Sequence, residues 1–128
     1  MTLREFMNVK RSEDSDRIIA VVMSKIIEKL KEETSRGMIN SYSPSNIYLS
    51  NFNVSNLNNL IVRFGAPITS RLTRNDGIYL APEVHRGEPA SMKTIVFTMG
   101  VIWDEMIHQE AFFKNSEEIT NASGTILL

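Results

Sequence analysis

The sequence has no cysteine, which removes disulfide frameworks and thiolate metal sites and fits a reducing, cytoplasmic setting. It also lacks a surplus of either charge: 14 Lys and Arg face 15 Asp and Glu, a formal net charge of −1. Nucleic-acid binders carry a basic excess, so no nucleic-acid partner is expected. No apolar run approaches the ~20 residues of a membrane-spanning helix, and no signal-peptide pattern follows Met1; no membrane span is expected. The two histidines, His85 and His108, have no second ligand at helical or hairpin spacing, so neither a metal nor another cofactor is expected. Nothing in the serine-rich composition supports a Ser-His-Asp triad. The Asn-x-Ser matches at Asn53 and Asn121 are at chance level in a chain this rich in Asn and Ser.

What is present is enough apolar sequence, over 128 residues, for one buried core; residues 1–128 read as a single domain. The dominant stretch runs from Tyr79 to Met106. It opens with Ala81-Pro82-Glu83 and a polar loop containing Gly87 and Pro89. It then enters a helical run with Ile95, Val96, Phe97, Met99, Val101, Ile102, Trp103, Met106 and Ile107. Ser91 stands where its hydroxyl caps the first turn. A helix apolar nearly all round is expected to be buried on most sides.

The rest reads as elements packed around that helix. Thr2-Leu3-Arg4-Glu5 has the spacing of a capping box and opens a short helix through about Val9. Ser12 to Asp16 supplies caps and acids for a second helix. Ile18, Ile19, Val22, Met23, Ile26, Ile27 and Leu30 form its apolar stripe, and Gly37 ends it. Asn46–Ser50 and Leu60–Phe64 read as short strands of a hairpin. Ile68 to Gly77 reads as a loop, and the Thr125–Leu128 end as an apolar tail seeking a surface. The predicted fold class is mainly α with a small β-hairpin (α+β). Met23, Met99 and Met106 read as core positions, with a methionine-lined binding groove as the alternative.

Several segments together resemble a protein kinase C-lobe. Pro44-Ser45-Asn46-Ile47 is similar to the end of the catalytic loop, Arg63-Phe64-Gly65 to the Asp-Phe-Gly segment, and Ala81-Pro82-Glu83 to the end of the activation segment. Gly100-Val-Ile-Trp-Asp-Glu-Met106 resembles part of the central C-lobe helix. The resemblance covers about residues 2–113, with 114–128 as a tail, and includes neither a Gly-rich phosphate loop nor a Val-Ala-x-Lys strand. It implies a partial kinase-like C-lobe built around one buried central helix.

Within that register the residues of phosphoryl transfer are replaced. Ser41 falls at the proton-accepting aspartate, Ser43 at the lysine, Arg63 at the magnesium-binding aspartate, and Ile95 at the central-helix aspartate that tethers the loop. A serine hydroxyl is no base at neutral pH, and an arginine repels a divalent cation. Asn46 matches the second metal ligand, but its simpler role is a side chain that braces the loop backbone. Ile95 is expected in apolar surroundings with the tether lost, and Glu83 solvated or paired with something local such as Arg86.

Among kinase relatives the chain most resembles the kinase non-catalytic C-lobe domain, a protein-interaction module. In actin-nucleating members of that family the partner is a short basic peptide at the tail of a formin. The resemblance thus implies no enzyme activity and a protein or peptide partner of cytoskeletal or signalling type. The expected contact residues are Trp103, Met106, Phe112 and Phe113, with homo-oligomerisation as another way to cover exposed apolar surface. The alternative is a pseudokinase fragment or decoy that regulates a genuine kinase and binds little or no nucleotide.

Overall fold

Residues 1–8, 15–68 and 77–108 are described by the computed structural model. Helix α1 spans Leu3–Met7, and its predicted capping box is present: Thr2 Oγ1 accepts from Glu5 N, and Glu5 Oε1 accepts from Thr2 N, both at 3.1 Å. The backbone bond from Thr2 to the Glu5 carboxylate, ahead of the side-chain bond, holds that acid below its usual pKa.

Helix α2 spans Ser15–Ser35 and buries Ile18, Ile19, Val22, Met23, Ile26 and Leu30. Ile27, read as part of the same stripe, sits on its shoulder and is only partly buried. The helix stops as expected at Gly37, whose φ of 84° is the left-handed conformation that suits a residue without Cβ. Gly37 N donates to Thr34 O at 2.9 Å and Met38 N to Glu33 O at 3.3 Å. Two carbonyls of the last turn are thereby satisfied.

Strands β1 (Ile47–Ser50) and β2 (Ile61–Phe64) form the predicted antiparallel hairpin, with Ile47 opposite Phe64 and Ser50 opposite Ile61. Alternation puts Ile47, Leu49 and Val62 inward and Tyr48, Ile61 and Arg63 outward. The amino terminus covers the other edge of β1: Thr2 bridges Tyr48, and Leu49 N donates to Met1 O at 2.7 Å. Phe6 meets Phe52 edge-on at 5.4 Å between centroids, so α1 and the hairpin connection close over the same core.

A short turn of helix at Gly77–Tyr79 leads into α3, Pro82–His85, and then α4, Met92–His108. Ser91 caps α4 as expected, accepting from Lys93 N at 3.2 Å, while Thr94 Oγ1 returns the favour by accepting from Ser91 N at 2.9 Å. One face of α4 carries Ile102 and Met106 into the core beside Leu3, Met23 and Ile26. Burial extends over most sides as expected, from Phe97 through Val101 and Thr98 round to Met99, and one strip stays outside. Val96 is 67 % exposed, and Met92 and Ile107 are nearly half exposed. With Gly100, they form an outward apolar stripe at four- and seven-residue spacing; among the described residues only α2 lies along that flank.

The chain is thus mainly helical with a small two-stranded antiparallel sheet. Among the described residues no helix is long and apolar enough to cross a membrane. Val9, the Ser12–Asp14 cap cluster, residues 69–76 of the predicted loop, Phe112, Phe113 and the 114–128 tail lie outside the described residues.

Gly37→Ala tests the α2 terminus. A Cβ there meets nothing within 4 Å, so the cost is conformational alone, about 1–2 kcal/mol for an alanine held left-handed. The urea midpoint is expected to fall accordingly, and Gly37→Asn to fall less.

Candidate functional site

The loop carrying Ser41 and Ser43 crosses beneath α4. Both serines are buried, at 7 % and 2 % exposure. Thr98 Oγ1, on the inner face of α4, lies 2.6 Å from Tyr79 O and 3.1 Å from Ser41 Oγ. A hydroxyl has one proton and a carbonyl only accepts, so Thr98 donates to Tyr79 O and takes its second bond from Ser41. Ser41 O in turn accepts from Ile68 N at 2.8 Å. The loop is therefore tethered to α4, contrary to the expectation that Ile95 leaves it free. The tether comes from Thr98, one turn further along, and Ile95 is buried among apolar side chains as expected.

Asn46 braces the loop through its main chain and not, as expected, its side chain: its N–H donates to Ser43 O at 2.9 Å and its carbonyl accepts from Gly65 N at 2.8 Å. A Cβ on Gly65 would lie 2.9 Å from Tyr48 Cε2 and 3.1 Å from Asn46 Oδ1. Glycine is what lets the strand end come this close. Phe64 stacks on Tyr42, 4.4 Å between centroids and 13° from parallel. Tyr42 OH donates to the Glu33 carboxylate at 2.7 Å, and burial first, then that bond, pushes the phenol up to about 12. Arg63 lies on the outer face of β2, opposite Tyr48, with its side chain exposed.

Glu83 also departs from expectation. Thr94 Oγ1 donates to its Oε1 at 2.8 Å, while Arg86 pairs with Glu88 instead. Glu83 Oε2 is buried and has no hydrogen-bond partner among the described residues.

A polar cluster that sequence reasoning missed joins the amino terminus to α4. Arg4 donates one nitrogen to Glu105 Oε2 and the other to Tyr79 OH, and Tyr79 OH donates to Glu105 Oε1. Tyr79 is fully buried and Glu105 is 8 % exposed. Burial, then the bond to Glu105, drives the Tyr79 phenol upward. Burial pulls the Arg4 guanidinium down, but its bonds to Tyr79 and Glu105 outweigh that and leave it raised. The available signal was Thr94, Thr98 and Glu105, polar residues at four- and seven-residue spacing on one face of an otherwise apolar helix.

The outer flank of α4 forms a groove of about 310 Å³ against α2, with Leu30, Ile95 and Met99 in its lining and Trp103 towards one end. Of the expected contact residues, Trp103 is partly exposed here. Met106 is not: at 2 % exposure it belongs to the core, because it falls on the same face as Ile102. Met92 and Met99 instead put two methionines in the groove lining. Among the described residues no three His, Cys, Asp or Glu side chains converge as a metal set.

No protein-family model matches the chain, and no curated protein matches it.

Two measurements probe the polar cluster. Glu105→Ala is expected to cost about 2–3 kcal/mol, below the ~3–5 kcal/mol of breaking a fully buried pair, because a third of the Arg4 side chain meets water. In an Arg4/Glu105 double-mutant cycle the double substitution should cost less than the sum of the two single ones. For pH, unfolded phenols ionise near 10.0, whereas Tyr42 and Tyr79 keep their protons to higher pH when folded. Above pH 10 the unfolded chain binds fewer protons, so stability falls as pH rises. The urea midpoint should decline there, and Tyr79→Phe should make the decline shallower.

Proposed function

We propose that this chain is a non-catalytic, kinase-like protein-interaction module that binds a peptide segment of a partner protein. The observation that carries this reading is the state of Ser41. Its hydroxyl is buried and committed to Thr98, so at the position of the kinase base the chain holds a loop in place. A group already bonded inside the core is not presented to a substrate hydroxyl. The Arg63 guanidinium supports the same reading: at the position of a metal-binding carboxylate it adds positive charge on an exposed strand face. Among the described residues, the apolar flank of α4, where Trp103 is partly exposed, is available to engage a partner. A formin-type cytoskeletal partner and a cytoplasmic setting belong to this reading through the family resemblance.

A second reading, a pseudokinase fragment that regulates a genuine kinase, draws on Asn46, which stays beside Gly65 as a metal-ligating asparagine would. Thermal denaturation with and without magnesium-ATP separates the two from a nucleotide-using protein. The expected result is an unchanged melting temperature, and unchanged again in Arg63→Asp alone. A saturable rise in the unmodified chain, lost in Asn46→Ala, would sink the non-catalytic reading.

A further inference from the structure

We draw no further inference here: the strongest candidate, the apolar groove between α2 and the outer stripe of α4, carries both Lys31 and Glu28 on its α2 wall, and nothing among the described residues shows what covers it.

Discussion

The buried face of α4 carries two hydroxyls and a carboxylate, and a polar group taken out of water without a partner costs about 1–3 kcal/mol, more if charged. Each of the three has its answer in a different segment. Thr94 meets Glu83, Thr98 meets Tyr79 O and Ser41, and Glu105 meets Tyr79 and Arg4. These bonds fix where the Ser41 loop, the Tyr79 turn and α1 lie along the helix. Apolar packing of Ile102 and Met106 supplies burial without direction; the polar row supplies the register.

That register also sets the surroundings of the loop that carries Ser41. Ser41 and Thr98 share a hydrogen bond inside the core, and Ile95 turns into hydrocarbon surroundings. A charged residue in place of either serine would have to be desolvated beneath α4. At the hairpin, Arg63 stays solvated on the outward face while Phe64 and Gly65 keep the close packing against Tyr42 and Asn46.

The same helix leaves its outer stripe unpaired. Val96, Met92 and Ile107 are apolar but face outward, and among the described residues only α2 lies along that flank. The resulting trough is apolar in its floor and carries both Lys31 and Glu28 along the α2 wall.

Local pattern determined the elements of this protein. The Thr2–Glu5 capping box, the Ile18–Leu30 stripe, the Gly37 stop, the short hairpin and the Ser91 cap are short-range properties of neighbouring residues, and each is present. Tertiary structure decided the rest, because it depends on pairs far apart in the chain. Arg4 and Glu105 meet across 101 positions and Ser41 and Thr98 across 57, and no periodicity encodes such a meeting. For the same reason Glu83 found Thr94 rather than Arg86, Met106 went inward, and Val96 stayed out: a helix displays its faces in its spacing, but which face meets the core is settled only when the other elements arrive.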